Sequence, residues 1–238
     1  MEAHRIPGVD VARGFALLAM FAFHFGFDLN YFGFLHQDFY NDWRWVWARI
    51  AILSSFLLLV GIGLVLGHGR RIHWPGFWRR WLRIAGCALL VTAGSWYLFP
   101  ESWIYFGVLH FIALASLLAL PLLRRPLLAL LLGIALITLP LLFQHRWFDQ
   151  PLMQWLGMMT HKPRTEDYVP LVPWLGVVFI GIFSSGRLRR PPAPRLQRAS
   201  AGRVWTWLAL AGRHSLLLYM IHQPVFLGVL YAVRRVAG

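Results

Sequence analysis

The sequence predicts an all-α fold: a polytopic integral membrane helical bundle of about seven transmembrane helices, within a range of six to eight. Three observations carry this. Hydrophobic residues are 58% of the 238 and charged residues 13%, against roughly 45–50% apolar and about 25% charged in soluble proteins. Seven apolar stretches approach the ~20 residues needed to cross a bilayer. The arginines gather in short clusters between those stretches. A soluble fold of this length could not hide so much apolar surface, which excludes an ordinary cytosolic enzyme and a disordered chain. With Cys87 as the single cysteine, an intramolecular disulfide and a Cys-based metal cluster are also excluded.

The candidate spans run Val9–Leu29, Val46–Leu66, Trp81–Phe99, Ile104–Leu123, Leu127–Phe143, Val169–Ser185 and Ser215–Val233. The sixth is short and carries Pro170 and Pro173 near its start. Val204–Leu210 is too short to span and reads as an interfacial helix or an extension of the last span. There is no internal repeat, so a single domain over 1–238 is expected. Within it, 186–203 is a basic, Pro/Arg-rich cytoplasmic loop.

Orientation follows from charge. The net charge is +14, a balance that suits nucleic acid only when the cations cover a solvated face. Here they lie in alternate loops: Arg70, Arg71, Arg79 and Arg80; Arg124 and Arg125; and six arginines in Arg187–Arg203. By the positive-inside rule these loops and the N-terminus are cytoplasmic, and no nucleic-acid partner is expected. The other loops hold seven of the nine acids. Seven spans would leave Arg234 and Arg235 outside, against the rule. The expected location is the bacterial inner membrane.

An ionisable side chain is expensive in hydrocarbon and is a functional hypothesis wherever it occurs. The first span carries Asp10, Arg13, His24 and Asp28. Arg13 and His24 are eleven residues apart and share a face about 16 Å apart along the axis. His24 and Asp28 are four apart, hence neighbours, and a carboxylate can fix an imidazole's tautomer and raise its basicity. The structural alternative is an Asp10–Arg13 pair at the helix start, an Asp28 cap in water and a packed His24. His36 lies just past the span, beside Asp38 and Asp42. Arg49, early in the second span, can pair with Asp28 or Asp42 or face an anionic substrate. His110 either hydrogen-bonds between helices or joins the site. Tyr219, His222 and Gln223 continue the last span, where Pro224 loosens the backbone. Ser215 shares a face with His222, but no Ser-His-Asp signature exists. Trp147, Trp155 and Tyr168 in the long loop 145–169, with His161, Glu166 and Asp167 nearby, suit either sugar binding or the membrane interface, and the interface reading is the stronger. No phosphate-cradling glycine loop, dinucleotide fingerprint or HExxH motif is present, and no metal is predicted.

Four segments resemble one family in order along the chain. They are Arg5-Ile-Pro-Gly-Val-Asp10-Val-Ala-Arg13-Gly-Phe-Ala-Leu, Phe106-Gly-Val-Leu-His110, Asp167-Tyr-Val-Pro-Leu-Val-Pro-Trp-Leu-Gly176 and Gly212-Arg-His-Ser-Leu-Leu-Leu-Tyr-Met-Ile-His222-Gln-Pro224. Together they resemble the heparan-α-glucosaminide N-acetyltransferase catalytic-domain family, and most closely its small bacterial members of unknown function. The first helix is also similar to that of the type 3 membrane acyltransferases, which place Arg and His eleven residues apart, as Arg13 and His24 are. The resemblance implies a transmembrane N- or O-acyltransferase. It would take an acetyl or other acyl group from cytoplasmic acetyl-CoA or another acyl-CoA to a sugar or glycan acceptor. The lysosomal relative carries Asn where His24 stands, with a proposed catalytic histidine in the following loop, where His36 is the nearest match. The resemblance thus implies His24, oriented by Asp28, or else His36, as general base or transient acyl carrier. Arg13 would hold the donor, and Arg49, His110 or His222 would supply the oxyanion contact. With about seven spans, the chain is shorter than either group. The implied partners are acyl-CoA, the glycan acceptor and membrane lipids; a homo-oligomer stays open. Two rival readings are a proton-coupled carrier of a small anion or glycan precursor and a non-catalytic membrane subunit.

Overall fold

A computed structural model describes residues 6–69, 71–188 and 202–237. Arg5, Arg70 and most of the basic 186–203 segment lie outside the described residues. Among those described there are eight α-helices and no strand: α1 Pro7–Tyr31, α2 Trp43–His68, α3 Trp74–Leu98, α4 Val108–Leu118, α5 Pro126–Leu142, α6 Leu171–Leu188, α7 Arg203–Arg213 and α8 Ser215–Ala237. Four of them, α1, α2, α3 and α8, are long and apolar enough to cross a membrane. The described residues form two compact units, one from Met1–Phe56 with Pro192–Gly238 and one from Leu57–Pro191.

In the first unit, α1 opens on extended Ile6 with Pro7 at its first helical position, where proline costs no hydrogen bond and presets φ. The Val204–Leu210 stretch belongs to a separate helix, α7, packed on α1. Two glycines make that approach close. A Cβ on Gly14 would collide with the backbone of Leu208, and one on Gly212 with the carbonyl of Asp10. Val11, Leu208 and Ala209 bury one another at this seam. α8 then runs parallel to α1, since Arg213 meets Asp10 while Phe226 meets Phe25. Arg234 and Arg235 therefore lie toward the end of the unit where α1 terminates. There Arg235 donates to the Tyr231 hydroxyl at 2.7 Å.

The second unit is centred on Leu57, Leu64, Phe111, Val178 and Ile182, all fully buried. α6 packs closely on two neighbours through glycines: Gly181 and Gly61 at α2, Gly176 and Gly133 at α5. Small residues let apolar helices gain dispersion contact where lipid offers no hydrophobic drive. The expected fourth span, Ile104–Leu123, contains only an 11-residue helix. At its front, Ser95 Oγ accepts the Ile104 N–H at 2.9 Å and Thr92 Oγ1 donates to the Ile104 carbonyl at 2.8 Å. These bonds hold residues 104–106 outside the helix. At its back, Pro121 has no N–H for the next turn, and the chain passes through a 3-10 turn, Leu120–Leu122. α5 has 17 residues. α6 starts at Leu171, with Val172 non-helical before Pro173.

Candidate functional site

The polar residues of α1 and α8 lie on matching faces. Phe21, His24, Phe25 and Asp28 follow the i, i+3, i+4, i+7 pattern, as do Tyr219, His222, Gln223 and Phe226; such residues share one side of a helix. The two sets meet. The rings of His24 and His222 are 5.1 Å apart. Phe21 stacks on His222 at 5.5 Å, and Phe226 meets Phe21 edge-on at 5.9 Å. The imidazoles are thus flanked by aromatic rings from both helices.

Hydrogen bonding fixes what each imidazole offers. The Gln223 amide donates from Nε2 to His24 Nδ1 at 3.2 Å, so neutral His24 carries its proton on Nε2. His222 Nδ1 donates to the Tyr219 carbonyl one turn back, which leaves the Nε2 lone pair of His222 available. The Gln223 side chain also interacts with the Asp28 carboxyl. The orienting bond to His24 therefore comes from Gln223, 199 residues away in sequence, with Asp28 behind that amide. Asp28 is 3% exposed and His222 6%. Three buried acceptor atoms of this cluster have no partner: Asp28 Oδ2, Gln223 Oε1 and His222 Nε2. Buried polar atoms are almost always satisfied, so three unpartnered atoms together set this cluster apart from the rest of the first unit.

The remaining expected residues are distributed as follows. Arg13 pairs with Asp10 at 3.3 Å, and the same carboxylate takes Arg213 Nε at 3.3 Å. Two guanidiniums thus share one carboxylate at the start of α1. His36 is exposed in the loop after α1. Arg49 is half-buried on α2 and pairs with neither Asp28 nor Asp42; Asp42 accepts the Arg44 N–H instead. Tyr219 contributes its carbonyl and a ring 5.5 Å from His222.

His110 belongs to the second unit and both its nitrogens are engaged. Nδ1 accepts the Gly107 N–H at 3.3 Å, and Nε2 meets Thr92 Oγ1 at 2.9 Å. Because Thr92 gives its own proton to Ile104, His110 Nε2–H is the donor in that pair. Beside it, Asp167 Oδ2 accepts the Val108 N–H at 2.8 Å, capping α4 from 59 residues away. Burial pushes the Asp167 carboxyl above its ordinary range, against the opposing pulls of the Val108 N–H and Lys162. Tyr105 donates to Gln154 Oε1 at 2.7 Å, and the Tyr168 hydroxyl donates to the Gln154 carbonyl. Burial, and then Tyr105, raise the Tyr168 phenol. These bonds tie Gln154 to Tyr105 and Tyr168 within the second unit.

Gln223 is the site residue that spacing alone passes over. Its signal was its place between His222 and Pro224, a proline inside α8, one turn beyond Tyr219.

The described residues are all-helical, four of the helices are long and apolar enough to cross a membrane, and α1 and α8 share a buried polar cluster, the features of a membrane protein. The chain belongs to the family described as heparan-alpha-glucosaminide N-acetyltransferase, catalytic, whose model matches residues 5–224. That membership places it among membrane acyltransferase-like proteins. Neither a curated protein nor a solved structure matches it.

Proposed function

We propose that this protein transfers an acetyl or other acyl group from acyl-CoA to a hydroxyl or amine of a sugar or glycan, at the His24–Asp28–His222–Gln223 cluster. The observation that carries this is the set of three unpartnered buried acceptors. A ligand rich in hydrogen-bond donors would complete them. Hydroxyl and ammonium groups are such donors; a simple anion is not.

In this reading His222 Nε2 removes the proton from the acceptor's O–H or N–H as that atom attacks the thioester carbonyl. The new C–O or C–N bond forms, the C–S bond breaks, and the CoA thiolate leaves and recovers a proton. His24 Nε2–H is a donor for the carbonyl oxygen as it gains charge. Asp28 holds the acceptor. His24 as base or as transient acyl carrier is the other route, and an acyl adduct on the intact protein distinguishes it. Arg13 and Arg213, which share Asp10, would help hold the donor's phosphates. His36 stays outside the chemistry. The chain would cross the bacterial inner membrane about seven times, with α4, α5 and α6 as the three shorter crossings and the N-terminus cytoplasmic.

The test is release of free CoA thiol by purified protein in nanodiscs, given acetyl-CoA and a panel of amino and neutral sugars. Acceptor-dependent release is expected. It should fall by about 10²–10⁴ in His222→Ala, the usual worth of a general base, and stay unchanged in His36→Ala. No release with any acceptor, by folded protein, overturns the proposal. Uptake of sugar into proteoliposomes without acyl-CoA would replace it with a carrier.

A further inference from the structure

His24 and Asp28 stand about 10 Å and about 5 Å short of the end of α1 at Tyr31, at the rise of an α-helix. Tyr31 is exposed there, as are Trp43 and Trp47 at the start of α2, and such aromatic residues gather at the level of lipid headgroups. The cluster therefore lies at the depth of a lipid's glycerol and first methylenes.

Beside it α8 presents an open apolar stripe. Ile221, Val225, Gly228, Ala232 and Arg235 recur at alternating spacings of four and three, so they share one side of the helix, and all are exposed. Val225 is one turn from His222, at the rim of the cluster. A Cβ on Gly228 would meet no atom within 4 Å, so the stripe is shallowest there. At its far end Arg235 reaches back one turn, donating to the Tyr231 hydroxyl and lying over that ring at 5.1 Å. Phe226 faces Phe25, so Tyr231 and Asp28 stand within about one helical turn of each other in depth. The other charged groups described at this end of the first unit are Arg44, Arg49 and Arg234, with Asp38, Asp42 and the buried Asp28. Asp38 is taken up by the N–H groups of Tyr40 and Asn41, and Asp42 by that of Arg44. The end carries an excess of cations. A guanidinium at headgroup depth, an apolar stripe below it and unpartnered acceptors at glycerol depth match three parts of one molecule: a phosphate, a chain and a hydroxyl. A single-chain phospholipid joins them in that order, with its free hydroxyl on the chain side of its phosphate.

We propose that a single-chain anionic phospholipid is a further acceptor, its phosphate on Arg235, its chain over Gly228, Val225 and Ile221, and its free hydroxyl at Asp28 and His222. Charge-assisted hydrogen bonds from the guanidinium hold the phosphate. Binding is independent of the chemistry; the chemical step rests on the acyl-transfer reading above. In that step the lipid's hydroxyl oxygen bonds to the acyl carbon, its proton passes to His222 Nε2, and the C–S bond breaks to release CoA as the thiolate. The product is the same phospholipid with one more acyl group.

The full chain in detergent is mixed with lysophosphatidylglycerol or with zwitterionic lysophosphatidylcholine, and retained lipid is counted by native mass spectrometry. The anionic lipid should be retained about tenfold better, and Arg235→Gln should remove that preference, the size of one charge-assisted hydrogen bond. Gly228→Leu should weaken retention of both lipids by blocking the chain. Its side chain starts in open space, so this variant keeps the fold. Acylation is then read as a mass-shifted lipid after acetyl-CoA is added to nanodiscs holding lysophosphatidylglycerol or phosphatidylglycerol. The second lipid keeps the headgroup hydroxyls and lacks the one below the phosphate, so the first alone should shift. Equal retention of the two lysolipids by the wild-type protein overturns the site. Retained lysophosphatidylglycerol that stays unacylated, by protein that releases thiol with a sugar, overturns the acceptor role. Selective retention with no thiol release from any acceptor upholds the lipid site and overturns acyl transfer at the cluster.

Discussion

Asp167 caps a helix that its own segment does not build, so replacing it tests how the second unit holds α4 in place. In Asp167→Ala the Val108 N–H loses its 2.8 Å acceptor. A buried donor left unsatisfied costs about 1–3 kcal/mol, and losing a capping side chain costs about 1 kcal/mol by itself. These two figures describe largely the same bond, so the expected loss is about 2 kcal/mol. Asp167→Asn keeps an oxygen for Val108 and removes the burden of burying a charge. Its pH response separates the two effects. Burial raises the folded-state pKa of Asp167 above the ordinary 3.8. The folded state therefore prefers the neutral acid. The resulting stability is fully present below the unfolded value and is lost as pH rises through the folded one. Wild-type protein should lose stability over that window, and the Asn variant should lack this component. Thermal unfolding in detergent, followed by circular dichroism from about pH 4 to 8, reads both. If Asn were as damaging as Ala at neutral pH, the carboxylate's charge and not its hydrogen bond would be holding α4, and the reasoning would fail.

Two other substitutions probe neighbouring contacts. Gly212→Val forces a side chain against the carbonyl of Asp10, a backbone atom that cannot move aside. Overpacking of this kind costs about 1–3 kcal/mol, so a lowered unfolding temperature is expected in a thermal-shift assay, and an unchanged one would mean α7 does not dock on α1. His110→Leu removes the Thr92 bond and leaves the Gly107 N–H without its acceptor. A loss of about 1–3 kcal/mol is expected. Thiol release per folded molecule should be preserved, and a selective loss of turnover would return His110 to the chemistry.

How much of this was legible in the sequence depended on how far apart the interacting residues lie. Apolar runs gave α1, α2, α3 and α8 within a few residues in most places, because bilayer thickness and helical rise leave little choice. Two ends moved outward for local reasons: Pro7 begins α1 ahead of Val9, and His73 accepts the Gly76 N–H to start α3 at Trp74 instead of Trp81. The fourth stretch read as a full span because Ile104, Tyr105 and Phe106 are apolar. Ser95 and Thr92, from the preceding helix, take over the backbone of Ile104, and hydropathy carries no trace of that.

The same distinction runs through the site. Asp10 with Arg13 was readable as a local pair, being three residues apart. That Arg213 shares the same carboxylate, 203 residues away, is a tertiary fact. His24 with Asp28 had the right spacing for a direct contact, yet neighbouring positions on a helix only bring side chains within reach. They do not say which of several nearby groups takes the hydrogen bond. Gln223 takes it, and the reason lies in the parallel run of α1 and α8, which sets residues 219–226 beside 21–28. This changes the chemistry each histidine offers. With Asp28 as its direct partner, His24 would present a basic nitrogen. With the Gln223 amide donating to Nδ1, His24 presents an N–H, and the free lone pair belongs to His222, whose own proton is held by the Tyr219 carbonyl. A base and a donor on facing helices, 5.1 Å apart by ring centres, are the two groups acyl transfer requires on either side of a carbonyl. The pairing arises only because two stretches at opposite ends of the chain fold against each other.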